Sequence, residues 1–570
     1  MRDTEKIQWR SWGAEPFEDA RRMSKPIFLS ISATWCHWCH VMDQDSLDHP
    51  EVIRRLNRDF VPIRVDSDQR PDINSRYNMG GWPTVAILDA DGRLIVGETY
   101  LQTGQLLEML SAVGKNPSAK PIETPSKAEG TASVPKPFPD TTIIDAVSAY
   151  LLGAFDPEFG GFGGPPKFPQ TWALELVFHL HHRTGDTKWL KMAVLTLDNM
   201  RESGLYDRVD GGFFRYSIRG DWDNPHYEKL LELNARMLSL YLEAYRLTDQ
   251  PLYRSTAQGV IDYLFTTLAA DGDGWFYGSQ SADEDYYLQS EEERLTAEPP
   301  ALDRTLYIDH NAMTASALLS AYSALGDSKY LDAAIKLLDH LWRRGRRPEF
   351  GMFHCNDNNG RPLLAGYLSD QVRMITALID AFETTGIKRH LDQALELFKV
   401  MDRDLWDGGE GGYWDLPADP DREGILKIRI KPFAENAIAA MALTRLFHLT
   451  GRDPYRKQAG DALSYLSTVY RPYRHHAAPF ALALERFLHP PHQVVIVGQK
   501  GEARWNELIR AAHRIKTPWR VVLPLDREED KERLRSLGYA ASGETTAYLC
   551  VGTTCLPPVT RPEDLMSLKP

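Results

Sequence analysis

The sequence predicts a multidomain chain that passes from an α/β unit to a long all-α array and back to a short α/β tail. Three observations carry this. Short apolar runs alternate with amphipathic helices over residues 25–113, helical periodicity dominates from about 141 to 490, and apolar runs return after 490. At 570 residues the chain exceeds one compact core, so about two to four domains are expected. The segment 114–140, "GKNPSAKPIETPSKAEGTASVPKPFPD", is rich in Pro, Lys, Ser and Thr and reads as an extended linker. The expected units are therefore 1–113, the linker 114–140, 141–490 and 491–570.

In the first unit, "PIFLSI" reads as a buried strand that leads straight into "WCHWCH". A helix follows through "HVMDQDSL", with Ser32 or Thr34 available as its cap. A second helix covers "HPEVIRRLNRDF", where Pro50 suits a first turn and Val52, Ile53, Leu56 and Phe60 share one face. "FVPIRVD" is a second strand, "PDINSRYNM" a short helix, and "TVAILDADGRLIVGE" a hairpin turning at Asp91-Gly92. A last helix spans "TGQLLEMLSAV". The order βαβαββα, with Cys-x-x-Cys between the first strand and helix, is the arrangement of a thioredoxin fold.

Cys36-His37-Trp38-Cys39-His40 fits two chemistries, thiol–disulfide exchange as W-C-x-x-C or haem attachment as C-x-x-C-H. The surroundings favour exchange. Five cysteines make no disulfide framework, and the charged start "MRDTEKIQWRSWG" lacks the apolar core of a secretory signal. No apolar run approaches the roughly 20 residues that span a bilayer, so a cytoplasmic protein with no membrane partner is expected. Covalent haem attachment is normally an export-side event, and zinc would need two further convergent ligands. No metal and no cofactor are therefore expected.

A cysteine at a helix N-terminus sees unpaired N–H groups and the positive end of the macrodipole, both of which favour thiolate. Cys36 is expected as the exposed nucleophile, beside Trp35, and Cys39 as the resolving thiol. His37 between them would stabilise the thiolate. Pro83 of "GGWPT" falls where a cis-proline would face the disulfide. The expected partner is an unidentified dithiol or disulfide protein. A net charge of −13 without a basic tract argues against nucleic acid.

In the long unit, "TWALELVFHLHHRTG", "LLELNARMLSLYLEAYRLTD" and "YLSDQVRMITALIDAFETTG" each carry an apolar stripe, and several helices end in Thr-Gly or Gly-Asp. Gly/aromatic loops recur near 159, 210, 271, 349 and 409, a spacing of one helical hairpin. With a sixth hairpin near "APFALALERF", they predict an (α/α)6 barrel with its loops gathered at one mouth. Asp210, His226, Glu228, Asp283, Asp309, His310, Asp370 and Glu435 fall near loop–helix junctions. Aromatic platforms beside carboxylates suit a sugar-like small molecule. Paired acids could hydrolyse a glycoside, and His226 with His310 could move a proton at an α-carbon. The plainer alternative is that such acids cap helices. In the tail, "HQVVIVG", "WRVVLPL" and "TAYLCVGTTC" read as strands, and Cys550 and Cys555 could pair although nothing local argues for it.

Taken in order, "KPIFLSI", "WCHWCHVM", "GGWPT", "GGFGGPPKFP", "GGFFRYS", "PHYEK" and "TCLPPV" resemble the spermatogenesis-associated protein 20-like family nearly end to end. The resemblance implies a thioredoxin-like domain fused to a six-hairpin glycosidase-like barrel. It also implies a redox site at Cys36 and Cys39 with Pro83 facing it, and a barrel similar to sugar-processing folds. His310 stands where that family's pattern has tryptophan.

Overall fold

The computed structural model describes residues 6–114, 138–270, 272–357, 359–540, 543–552 and 554–568. Most of the expected linker, 115–137, lies outside them. In the first unit, β1 (Ile27–Ser32), β2 (Val61–Asp66), β3 (Thr84–Leu88) and β4 (Leu94–Glu98) form one sheet in the order β2-β1-β3-β4. β1 and β2 are parallel, and β3 is antiparallel to both β1 and β4. The near-continuous apolar runs of β1 and β3 are explained by cover on both faces. One layer holds Phe17, Ile31, Ile63 and Ile73, the other Phe28, Val52, Leu56 and Leu106. The helix Ala14–Met23, upstream of the predicted pattern, supplies Phe17 and Ala20 to the first layer.

Six inner helices close a ring: Thr171–Thr184, Leu231–Thr248, Ile308–Leu325, Leu368–Thr385, Phe433–Thr450 and Ala478–Leu488. Five are followed by an antiparallel outer helix. The sixth, Ala478–Leu488, packs instead against Thr141–Ala154, so the last hairpin is built from the barrel's first and last helices. Runs such as "AMTASALLSAYSA" suit an inner helix, because small residues allow burial on nearly every side. Gly185, Gly326, Gly386 and Gly451 end inner helices in the left-handed conformation that glycine adopts without strain.

The Gly/aromatic loops are pinned by a repeated device. Asn234 accepts from Phe213 N at 2.7 Å and donates to Phe213 O at 3.0 Å. Asn311 does the same with Phe276, Asn436 with Tyr413, and Gln371 with Met352. A side-chain amide thus replaces a strand partner for these four loops, while in the loop near 159 Gly161 N donates to Thr196 Oγ1 at 2.7 Å. Lysines add a second pin: Lys229 Nζ donates to Asp207 at 2.6 Å and to Gly211 O at 2.8 Å, and Lys431 repeats this with Asp407 and Gly411. These loops are held as scaffold.

The C-terminal sheet runs Arg520–Asp526, His492–Gly498, Thr546–Val551 and Thr554–Cys555. Val495, Val497, Trp519, Val521 and Leu523 share the barrel's own core, while Val494, Ile496 and Val522 pack under the helix Ala503–Arg514. The segment therefore seats against the barrel. Cys550 and Cys555 are bonded to each other across an edge pair, and Cys355 is a free, buried thiol.

Candidate functional site

Cys36 and Cys39 form a disulfide at the start of the helix His37–Met42. Cys36 itself is the N-cap, its Sγ accepting from Cys39 N at 3.2 Å. Neither Ser32 nor Thr34 caps this helix. Thr34 instead donates through N and Oγ1 to Asp66, at 3.0 and 3.1 Å. The Trp82–Pro83 peptide is cis, and Pro83 is buried.

The expected exposure of Cys36 is corrected by the structure. Cys36 is 3% and Cys39 2% exposed, because the barrel mouth covers them. Leu230 and Trp82 pack on the pair. The Arg215 guanidinium lies 4.5 Å over Trp35 and 5.5 Å from the Trp82 ring. Ser281 Oγ donates to Thr34 O at 3.0 Å, and Ala282 N to Trp35 O at 3.4 Å. His37 does not sit between the sulfurs: it is exposed and lies edge-on to Trp38, which is 46% exposed.

Around Trp35 stand the half-buried Asp66 and Asp68, and on the barrel side the buried Asp309 and Asp370. Trp35 Nε1 donates to Asp68 at 2.6 Å. Asp66 is pushed up to about 7 by burial and by the neighbouring Asp68. From the barrel side, His354 Nε2 donates to the Asp68 carbonyl at 2.7 Å, while Nδ1 faces both Asp370 oxygens at 3.1 Å. Burial opposes charge on His354, but Asp370 and Asp309 outweigh it and raise its pKa to about 10. Asp309, His354 and Asp370 are close enough to share a cation. With both ring nitrogens donating, His354 has no lone pair for a metal, so the trio fits an ionic clamp better than a metal site.

The eight predicted barrel residues do not converge on one point. Asp309 accepts from Ser369 Oγ at 2.8 Å, and His310 Nε2 lies 3.7 Å from Glu232 with its Nδ1 buried and unpartnered. Asp370 and Glu435 are held above the ordinary carboxylate range by burial. Asp210 pairs with Arg294 at 2.8 Å, and Asp283 caps a short helix through Tyr286 N at 2.9 Å. His226 stacks on Tyr216 at 4.3 Å and is 3.5 Å from Glu228, whose Oε2 is buried without a partner.

None of these eight residues lines the barrel's cavity, a lumen of about 420 Å³ that starts at Trp172, Arg236 and Arg373. It ends on Thr517, Trp519 and Arg520 of the C-terminal segment. Arg236 lies 4.0 Å over Trp172 and pairs with Glu175 at 3.3 Å. Isolated arginines inside apolar helices were the sequence signal for this lumen, which the search at loop–helix junctions missed.

A thioredoxin-like domain turned face-down on the mouth of an (α/α)6 barrel is the class that this fold and site define. Residues 1–115 match the family Thioredox_DsbH, described as "Protein of unknown function, DUF255". Spermatogenesis-associated protein 20 of Homo sapiens is 25% identical over 710 aligned positions, covering 99% of this chain and 89% of that one. An uncharacterized protein of Caenorhabditis elegans is 24% identical over 699 positions, covering 99% and 94%. Among solved structures, D-mannose isomerase superposes with a TM-score of 0.50 at 16% identity, over 62% of this chain and 99% of that one. The likeness to spermatogenesis-associated protein 20 thus runs nearly end to end, and the isomerase is similar in fold. No helix among the described residues is long and apolar enough to cross a membrane.

Proposed function

We propose that this protein is a thiol–disulfide oxidoreductase whose exchange site is sheltered by the mouth of its own barrel. The placement of Cys36 as N-cap, with Cys39 N directed at its sulfur, carries this reading. A reduced Cys36 thiolate there gains a hydrogen bond and the helix dipole. It attacks a partner disulfide, giving a Cys36–partner mixed disulfide and releasing one partner thiolate. Cys39 thiolate then attacks the Cys36 sulfur, closing the Cys36–Cys39 bond and releasing the second. Two electrons pass to the partner. Because both sulfurs are covered, turnover requires the domain to lift from the barrel.

Reduction of insulin disulfides with dithiothreitol as the electron source tests this. Activity is expected to vanish in Cys36→Ser, and turnover equal to the parent protein's would reject exchange. A second reading, a barrel that turns over or only holds a sugar-like molecule, draws on His310, whose Nε2 lies beside Glu232 and whose Nδ1 is unpartnered. Thermal shifts with neutral sugars, weakened in His310→Gln, are its expected signature.

A further inference from the structure

The lumen inverts the charge of the molecule around it. The chain carries a net −13, yet seven arginines and four carboxylates line this one cavity. The carboxylates are already engaged: Glu175 with Arg236, Glu243 with Arg246, and Asp380 and Glu383 with Arg445. Among the described residues, no carboxylate is in ion-pair contact with Arg373, Arg486 or Arg520. Arg486 reaches only Met441 Sδ at 3.4 Å and leaves its Nε unpartnered, and Arg520 reaches only the Ile515 carbonyl at 3.4 Å. Arg373 lies 5.7 Å from the Trp172 ring.

Uncompensated cations in a sheltered space cost folding free energy, and a counter-charge supplied by a ligand offsets that cost. Guanidinium groups match phosphate oxygens two at a time. The hydroxyls of Ser316 and Ser320, with Trp172 beneath Arg236, line the space left for an uncharged body. The volume of about 420 Å³ lies in the range of small-molecule sites.

We infer that the barrel lumen binds a small molecule bearing a phosphate-type anion, with Arg373, Arg486 and Arg520 supplying the charge. This reading is independent of thiol exchange, since it involves neither cysteine.

The test is melting of the full chain with inorganic phosphate, glucose 6-phosphate or glucose at matched concentration, with ionic strength balanced by chloride. Both phosphates are expected to raise the melting temperature, by about 3 °C or more at concentrations well above Kd, and glucose is not. Arg486→Met and Arg373→Met are each expected to shrink that rise at least severalfold, whereas Arg54→Met at the surface of the thioredoxin-like domain leaves it intact. No rise with either phosphate, or an equal rise with glucose, overturns the inference, and neither comparison needs a variant. A rise unchanged in both lumen variants also overturns it, by placing the anion elsewhere. Exchange activity is expected to survive in Arg486→Met, which separates failure of this inference from failure of the redox reading.

Discussion

The two ends of the barrel are closed in different ways. At the far end the C-terminal segment contributes Val495, Trp519, Val521 and Leu523 directly to the barrel core. At the mouth, the thioredoxin-like domain is held largely by polar links: His354 to Asp68, Arg76 to Asp415 at 2.8 Å, Ser281 to Thr34, and Arg215 over Trp35. Its apolar contacts there centre on Leu230, Ile425 and Leu426. An apolar seat built into a core separates only with unfolding, while a polar seam with few buried apolar side chains can open locally. The floor shares many apolar side chains with the barrel core, whereas the cover shares few, chiefly Leu426, and is otherwise joined by polar links, the arrangement that the proposed exchange site calls for.

Leu523→Ala strikes the floor. A loss of about 2–4 kcal/mol is expected in chemical denaturation, with the barrel and C-terminal segment melting together. A separate early transition of the segment would break the contrast. His354→Ala strikes the seam and leaves Asp370 without its cation. It is expected to cost about 2–3 kcal/mol and to speed dithiothreitol reduction of Cys36–Cys39 by tenfold or more, on the order of 1.4 kcal/mol of easier opening. Thiol trapping reads the rate, and an unchanged rate would mean that opening does not limit access.

Arg215→Ala removes a cation from two aromatic faces, worth about 0.5–2 kcal/mol, so a smaller acceleration of about threefold to tenfold is expected in the same assay. Alkaline titration sharpens the comparison further. His354 binds its proton more tightly in the folded chain, so its contribution is complete below about pH 6.5 and fades as pH rises through about 10. Reduction of the disulfide should accelerate across that window in the parent chain, relative to His354→Ala at each pH. The smallest effect concerns the other disulfide. Cys555 is exposed and lies only five positions after Cys550, so the closed loop is short and Cys550→Ser is expected to cost about 2 kcal/mol or less and to leave exchange unchanged.

The N-terminal fold was legible because its signals are local: apolar runs, Pro50 at a first turn, and Cys-x-x-Cys after a strand. The helical ring was legible from the recurrence of its loops and their left-handed glycine ends. The burial of Cys36 was not, since it depends on Leu230, Arg215 and Ser281, far away in the chain and carrying no periodic signature. His37 was misplaced for a related reason: adjacency in sequence fixed its turn of helix but not the side facing the barrel. The acids chosen at loop–helix junctions proved to be dispersed among caps, ion pairs and the clamp, whereas the lumen is lined from mid-helix positions where a lone arginine looks like surface.

The pairing of Thr141–Ala154 with Ala478–Leu488 bears on how the molecule is made. A ribosome releases the first of these helices long before the second exists, so the nascent ring must wait open, with apolar flanks uncovered, until Ala478–Leu488 has been made. Poor tolerance of truncation after the fifth hairpin is the outcome expected from that single junction, since it strips Thr141–Ala154 of its packing partner.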